Sequence, residues 1–205
     1  MKQESITIRE KETAAKVQNT RINAVRTKDI AKKGVRVYKD GKIGISGAIG
    51  EVAEDKLVEN AVRNLGTGIS YPYPLSKDRK DHRTYNDNPI SAEELMSITE
   101  SVLETLGKEY SDFDFSETVS TNEITIEMRN SEGLDLEYKD AYFSLGLILR
   151  EKKSANLFDG LIMCVGRQFD PDKFWAFNRS YLEAYRNPVA LPEGEVLPVF
   201  ALMPD

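Results

Sequence analysis

The stretch Val35-Arg36-Val37-Tyr38-Lys39-Asp40-Gly41-Lys42-Ile43-Gly44-Ile45 carries the strongest local fold signal in this sequence. Apolar and polar residues alternate on both sides of Asp40-Gly41. An Asp-Gly pair in this setting is typical of a tight β-hairpin, because a type I′ turn requires positive φ at both central positions. Residues 5–9 show the same alternation. We therefore predict a β-meander over about residues 5–48.

A second region of alternation predicts a second sheet over about residues 117–165. Ile124, Ile126 and Met128 alternate with polar residues, and residues 130–133 supply a turn before the next alternating run. Residues 156–160 are predicted to form a loop, and residues 161–165 a further strand. The sequence thus contains two β-rich halves, each with strands followed by a helix, although no sequence repeat relates them.

The first two helices are predicted from periodicity and from their end signals. One follows the meander and ends at Gly66; its apolar face consists of Val58, Ala61, Val62 and Leu65. Another begins with a capping box formed by Ser91 and Glu94 and ends at Gly107. Its apolar face consists of Leu95, Thr99, Val102 and Leu106.

The third helix is predicted over about residues 170–187, because Asp170 is a good N-cap and Pro171 fits the first helical position. It carries an aromatic stripe at helical spacing, formed by Phe174, Phe177, Tyr181 and Tyr185. Such a stripe is more often core than a partner-binding face. A short apolar strand at 196–202 follows.

The order of these elements predicts an α+β fold with mainly antiparallel sheets and about three helices. Residues 67–89 are expected to form an exposed loop, since they offer few apolar anchors. We treat residues 1–205 as a single domain.

Charge and composition narrow the function classes. The net charge of −6 and pI of about 5.1 argue against nucleic acid as a partner. No apolar run approaches the roughly 18 residues that span a bilayer, and the first residues do not form a signal segment, so we expect no membrane partner. The single cysteine, Cys164, has no partner for an internal disulfide. These features together favour a cytoplasmic location.

A zinc enzyme needs about three protein ligands, mostly His and Cys, and the chain has only one of each. His82 lies among Asp78, Asp81 and Asp87. It could belong to a weak cation site or act as a base, but a solvated charged loop is the preferred interpretation. Cys164 lies in an apolar run and is expected to be buried and inert.

Two other groups of residues invite a functional interpretation. The first is a set of carboxylates, Asp112, Asp114 and Glu117, which could divide acid and base roles if their environments separated their pKa values. A solvated helix-to-strand connection explains them better. The second is a set of glycines that lacks the spacing of a phosphate-binding loop and is expected to mark bulges or close backbone approach. They are Gly41, Gly44, Gly47 and Gly50. No catalytic residue, cofactor ligand or metal ligand is assigned in this chain.

The chain resembles the N-terminal domain of the TldD/PmbA family of metallopeptidase-related proteins. The resemblance is carried by residues 34–44, by the turn Asn130-Ser131-Glu132-Gly133-Leu134, and by Tyr138 followed by Tyr142-Phe143-Ser144-Leu145. The order of meander, two helices, second sheet, helix and apolar strand also fits, over most of residues 20–202. Each motif alone is modest in specificity, and their order and spacing make the case.

The resemblance implies a non-catalytic domain that shapes a peptide chamber and a homo- or heterodimer. The family's H-E-x-x-x-H motif has no matching position here, so zinc is expected only in a missing second domain or in a partner subunit. The chain is expected to end where that second domain would begin. The implied partner is a peptide or protein substrate, which could be held as an added strand on a sheet edge.

Two alternatives remain open. The chain could be a stand-alone peptide- or protein-binding module without enzymatic activity. A weaker alternative is a hydrolase that uses carboxylates alone, for which Asp112 and Asp114 are the candidate residues.

Overall fold

The computed structural model describes residues 1–187 and Gly194. Over these residues the chain forms seven strands in one mostly antiparallel sheet and three α-helices, which confirms the predicted α+β fold. The strands are β1 (Lys2–Gln18), β2 (Arg21–Lys39), β3 (Lys42–Ile49), β4 (Lys80–Thr84), β5 (Phe113–Asn130), β6 (Asp135–Glu151) and β7 (Gly160–Gly166). The helices are α1 (Glu54–Asn64), α2 (Ala92–Glu109) and α3 (Pro171–Arg186).

The two predicted groups of strands form one sheet instead of two. The strand order is β3-β2-β1-β5-β6-β4, and β7 also pairs with β6. The join is made by β1 and β5, which pair antiparallel along most of their length, from Glu4 opposite Asn130 to Val17 opposite Glu117. Four strands have 17 to 19 residues, so each spans about 55–65 Å.

The predicted hairpin at Asp40-Gly41 is confirmed. Both residues have positive φ, 52° and 69°, and Lys39 pairs with Lys42 across the turn. The turn between β1 and β2 was not located from the sequence. There Asn19 and Thr20 adopt the left-handed conformation without glycine, with φ of 50° and 60°. Thr20 is held by a backbone hydrogen bond from its N–H to the carbonyl of Phe115, at 2.7 Å.

The predicted exposed loop at 67–89 is wrong in part, because it contains β4. This strand pairs parallel with β6, with Lys80 opposite Asp135 and Thr84 opposite Lys139. It is short and contains no apolar residue, so neither periodicity nor β-propensity marks it. Its position follows from pairing with a distant segment, which the local sequence does not encode.

The sheet has one covered face and one open face. Strand pairing places Val35 and Val37 on the same side as Val119, Leu145 and Leu147, all of which are buried. We call this side the covered face; α1 packs against β2 and β3, and α2 against β5. The opposite side is the open face, and none of the helices in residues 1–170 lies on it. Its half-buried or exposed apolar residues include Ile6, Ile8, Ile45, Ile124, Ile126, Met128, Leu136, Tyr138 and Tyr142, whereas Ile43, on the same side, is buried.

Helix α1 buries a slightly different face from the predicted one. Leu57 and Ala61 are buried in a cluster with Val35 and Val37, whereas Val62 is 40% exposed. The helix ends at Asn64 and continues as a 3₁₀ turn, Leu65–Thr67. The left-handed residue that ends the turn is Gly68, with φ of 76°, and not the predicted Gly66.

Helix α2 begins as predicted, since the Ser91 hydroxyl accepts a hydrogen bond from the Glu94 N–H at 3.1 Å. The predicted apolar positions are all buried, and Leu103 joins them. The helix does not stop at Gly107 but runs to Glu109, with Tyr110 as its C-cap. No helix in the described part of the chain is long and apolar enough to cross a membrane.

Residues 1–170 form one compact unit, and α3 belongs to a second unit. The predicted third helix is confirmed, but its aromatic stripe is not core as a whole. Phe174 is buried, whereas Phe177 is 68% and Tyr181 43% exposed. The buried face of α3 instead combines Phe174 with Asn178 and Leu182. Pro188, and the apolar strand predicted at 196–202, lie outside the described residues.

Candidate functional site

The open face carries two adjacent apolar rows that cross three strands. Ile6, Met128 and Leu136 lie opposite one another in β1, β5 and β6, and Ile8, Ile126 and Tyr138 form the next row. These side chains are half-buried or exposed, although they are large and apolar. Contiguous apolar surface of this kind is typical of a binding surface.

Two shallow depressions flank Met128 on this face. The first has a volume of about 210 Å³ and lies over Gly34 and Gly47, between Ile6 and Ile45. Because the two glycines have no side chains, the backbone of β2 and β3 forms part of its floor. A Cβ at Gly34 would lie only 3.0 Å from Ile6 Cγ2.

The second depression, of about 230 Å³, is bordered by Ile126, Leu136 and Tyr138 and reaches Asp81 and Arg83 of β4. Arg83 donates two hydrogen bonds to the Asp81 carboxylate, at 2.9 and 2.7 Å, and this fixes the polar rim. The two depressions lie on either side of Met128, one over β2 and β3 and the other over β5 and β6.

Charged pairs line the β2 margin of the open face. Glu4 is buried and accepts hydrogen bonds from Arg36 at 3.1 Å and from Tyr38 at 3.3 Å. Burial, followed by the charge of Glu4, raises the pKa of Tyr38 to about 12, so its hydroxyl remains a donor at neutral pH. Further along, Lys32 donates to Glu10 at 2.8 Å, and this hydrogen bond lowers the pKa of Glu10.

The β6 margin is organised around Asp140. Its carboxylate accepts two hydrogen bonds from Arg167, both at 3.0 Å, and one from the Tyr138 hydroxyl at 3.1 Å. The hydrogen bond from Arg167 is the main cause of the lowered pKa of Asp140. The Arg167 guanidinium also lies over the Tyr85 ring, 5.2 Å from its centroid. Both margins are therefore charged but internally paired, and the apolar strip between them has no partner within residues 1–170.

The predicted carboxylate group lies mostly in a strand and not in a connecting turn. Asp114 and Glu117 belong to β5 and line a polar cleft of about 380 Å³, together with Lys16 and Arg150. Each carboxylate faces a cation: Asp114 lies 3.8 Å from Arg150, and Glu117 lies 3.3 Å from Lys16. Asp112 lies just before β5, where its carbonyl accepts a hydrogen bond from the Lys152 N–H.

Glu117 has a φ of 112°, a backbone conformation that residues other than glycine rarely adopt. Glu117 nevertheless keeps its register opposite Leu147 in β6 and lines the cleft. The cleft thus contains two acidic and two basic groups in near-balanced pairs.

His82 lies in β4 and not in a loop. Its Nε2 is 3.1 Å from Asp135 Oδ2, and the side chain is 37% exposed. Asp135 also accepts a hydrogen bond from Arg129 at 3.2 Å, and the contacts with His82 and then Arg129 lower its pKa. In the part of the chain that the structure describes, no three His, Cys, Asp or Glu side chains are grouped to hold a metal ion.

Cys164 lies in β7 and is half-buried instead of fully buried. Burial, and to a smaller extent the charge of Asp170, raises the pKa of the thiol. A thiol with a raised pKa forms little of the reactive thiolate at neutral pH.

Gly44 has the predicted close backbone approach. A Cβ at Gly44 would lie 1.9 Å from the Ala61 carbonyl oxygen, so α1 rests directly on β3 at this point. Gly41 and Gly50 have positive φ and serve turns at the two ends of β3. Gly47, like Gly34, leaves room in the first depression.

Among known proteins, the chain is similar to solved structures only at the level of the fold. No family model matches the sequence, and no curated protein matches it either. Among solved structures, a candidate modulator of DNA gyrase from Thermotoga maritima is similar over 94% of this chain and 46% of that chain, with a TM-score of 0.69 and 18% identity. TldE from Thermococcus kodakarensis is similar over 90% of this chain and 44% of that chain, with a TM-score of 0.66 and 14% identity.

A second candidate modulator of DNA gyrase, from Bacteroides thetaiotaomicron, matches 80% of this chain and 40% of that chain, with a TM-score of 0.57 and 11% identity. The protein therefore has the fold of a domain found in TldD/PmbA-type proteins, which confirms the resemblance at the level of the fold. The chain spans less than half the length of each of these neighbours.

The residues of the open face were not recognised as a site from the sequence. Alternation placed Ile124, Ile126 and Met128 in a strand, but it does not tell which side of the strand a helix covers. Gly34 and Gly47 are visible in the sequence, but only the structure shows that they lie directly opposite each other. The sequence alone could not pair them.

Proposed function

We propose that this chain is a non-catalytic domain of a TldD/PmbA-like metallopeptidase or of its partner subunit, and that it helps to shape the peptide chamber and the dimer. The observation that carries this proposal is the extent of the structural match: 94% of this chain corresponds to only 46% of the Thermotoga maritima protein. A chain of this kind corresponds to one part of a larger architecture.

The open face supports the same proposal. A half-exposed apolar strip with paired charges on both margins is suited to contact with another protein surface or with bound peptide. In this proposal a catalytic zinc is supplied by a second domain or by a partner subunit. The single cysteine and the net charge of −6 agree with a cytoplasmic protein that does not bind nucleic acid.

The test uses the purified chain alone and mixed with a zinc-containing TldD/PmbA-like subunit from the same genome. Native mass spectrometry should detect a complex of defined stoichiometry in the mixture, and an unstructured peptide should be hydrolysed only when that subunit is present. Ile126→Glu should abolish the complex, because it places a charge in the centre of the open face. Val62→Glu is the matched control, since Val62 is 40% exposed on α1.

Peptide hydrolysis by the chain alone with added zinc would contradict a non-catalytic role. If the isolated chain does hydrolyse peptide, Asp112→Asn and Asp114→Asn test whether these carboxylates are responsible. Unchanged turnover in both variants would show that neither residue has a chemical role. Loss of turnover in either variant would favour the carboxylate hydrolase instead.

A second candidate function is a stand-alone peptide- or protein-binding module. The apolar strip and its two depressions favour this function, because all of their residues lie within residues 1–170. It predicts that Ile126→Glu abolishes binding of a peptide to the isolated chain. Complex formation only with a peptidase subunit, and none with peptides, would favour the first proposal.

A further inference from the structure

Strand β2 has a long edge without a neighbouring strand in the part of the chain that the structure describes. β3 pairs with β2 only from Lys32 to Lys39, and Gly50 then turns the chain away. Residues 21–31 of β2 therefore pair with β1 on one side only. An edge of this length is uncommon unless it is protected or used for pairing.

The direction of the backbone groups on this edge follows from one hydrogen bond. The Gly50 N–H donates to the Ala31 carbonyl at 2.7 Å, so Ala31 directs its backbone groups away from β1. In an antiparallel strand every second residue shares this direction. Val25, Thr27 and Asp29 thus present their N–H and C=O groups outward, toward the position of a further strand.

This segment is regular enough to receive one. Pairing with β1 continues without a register shift from Ala24 to Ala31, and the only irregularity of the pair lies beyond it, at Lys16/Val17. Eight residues in register extend over about 26 Å. An added strand of similar length would gain backbone hydrogen bonds at three successive outward positions.

The side chains along the edge are predominantly basic. Residues 21–31 contain three basic residues and one acidic residue, in a chain whose net charge is −6. Arg26 and Lys28 point to the open face, where they lie 3.1 Å from Glu12 and 3.9 Å from Glu10. On the other face, Val25 is 52% exposed and offers an apolar contact.

We propose that the free edge of β2 binds an extended acidic peptide segment by strand addition, with carboxylates at alternate positions facing Arg26 and Lys28. This proposal goes beyond the proposed function, because it concerns a different surface from the apolar strip. Each added acidic side chain would lie beside a basic one on the same face, which is a favourable cross-strand pair.

A second copy of the chain fits this edge less well. When two β2 edges pair antiparallel about Thr27, Arg26 of each copy lies opposite Lys28 of the other. A shift of two residues places Arg26 opposite Arg26 or Lys28 opposite Lys28. Like charges directly opposite are destabilising, so the charge pattern favours an acidic partner over self-pairing.

The test uses a labelled peptide, Val-Thr-Glu-Thr-Glu-Thr-Val, with fluorescence anisotropy to measure its Kd. The charge-reversed peptide, with Lys in place of Glu, should bind at least about tenfold more weakly. N-methylation of the central Thr should abolish binding, because its N–H faces β2, whereas N-methylation of a Glu, whose N–H faces away, should be tolerated. Equal effects of the two N-methylations would overturn strand addition.

Protein variants test the same edge from the other side. Thr27→Pro removes an outward N–H that β1 does not use, and it should weaken binding about tenfold or more. Arg26→Gln with Lys28→Gln should have a similar effect, and Arg9→Gln, an exposed change on β1, is the matched control. Circular dichroism reports whether Thr27→Pro still folds; if it does not, the N-methylated peptides still decide the question.

Two further results would overturn the proposal. One is unchanged affinity in the Arg26→Gln, Lys28→Gln variant, which would mean that these residues only protect the edge from aggregation. The other is a homodimer of the wild-type chain that Thr27→Pro abolishes. Ile126→Glu should leave the peptide affinity unchanged, so failure at the edge is distinguishable from failure of the proposed function.

Discussion

At the scale of single residues, Gly44 decides how closely α1 approaches the sheet. Gly44→Ala should destabilise the protein by about 1–3 kcal/mol, because the new methyl group would lie 1.9 Å from the Ala61 carbonyl oxygen and 2.9 Å from the Leu65 nitrogen. Urea denaturation measures this change in the free energy of unfolding. Gly66→Ala is the control: no heavy atom lies within 4 Å of its Cβ, and its stability should be unchanged or slightly higher. Equal stabilities of the two variants would show that α1 does not rest on β3.

Asp140 should make the stability of the protein sensitive to acid. Its pKa is lowered in the folded state, mainly by Arg167, so the stabilisation is present above the ordinary pKa of about 3.9 and is lost as the pH falls below it. Asp140→Asn should lower the free energy of unfolding at neutral pH by about 1–3 kcal/mol. The difference from wild type should shrink as the pH approaches the lowered pKa. Urea titrations across this pH range test the sign; a difference that grows in acid would contradict it.

At the scale of secondary-structure elements, β4 offers a test of its parallel pairing with β6. The Tyr85 N–H donates to the Lys139 carbonyl at 2.9 Å, and by alternation the Arg83 N–H also faces β6. Arg83→Pro should therefore release β4, whereas His82→Pro should be tolerated, because its N–H faces away from β6. Amide hydrogen exchange over residues 80–84 measures the release. Equal protection in both variants would show that the strand is not held by this ladder.

The elements that the sequence predicts are those whose signals are local. Asp40-Gly41 specifies its own turn, and Ser91 caps its own helix through the hydrogen bond from the Glu94 N–H, so both signals are confirmed. The two features that the sequence does not predict, β4 and the single continuous sheet, depend on pairing between distant segments. β4 exists because of β6, a segment about 55 residues away in its register partners, and the single sheet exists because β1 pairs with β5. Hydrophobic periodicity carries no information about such distant pairings.

Hydrophobic periodicity also predicts the buried faces of the helices only in part. Val62 belongs to the predicted apolar stripe of α1 but is 40% exposed, whereas Leu57, which the prediction left out, is 3% exposed. In α3 the aromatic stripe predicts a core face, yet Asn178 is buried and Phe177 is exposed. The burial of a given apolar residue therefore depends on how elements dock. The candidate site shares this dependence, since within residues 1–170 the open face is the side of the sheet on which α1 and α2 do not pack.

At the scale of the whole molecule, the sheet divides residues 1–170 into a helix-covered side and a side without helices. Both sides are large because the strands are long. On the open face, charged residues border the apolar rows on both sides. An open antiparallel face is normally polar, because it faces water. The apolar strip of Ile6, Ile8, Ile126 and Met128 departs from that pattern, which is why we place the site there and not in the polar cleft.

This asymmetry predicts opposite outcomes for the same substitution on the two faces. Leu145→Lys should unfold the protein or cost more than about 4 kcal/mol, because Leu145 is 1% exposed on the covered face and the charge would have no partner there. Ile126→Lys should change the free energy of unfolding by about 1 kcal/mol or less, since its ammonium group reaches water. Thermal denaturation compares the two variants, and binding of a hydrophobic dye to the folded protein should fall in Ile126→Lys. Loss of folding in both variants would mean that the open face is covered in the free protein, and that surface would then no longer be available to a partner.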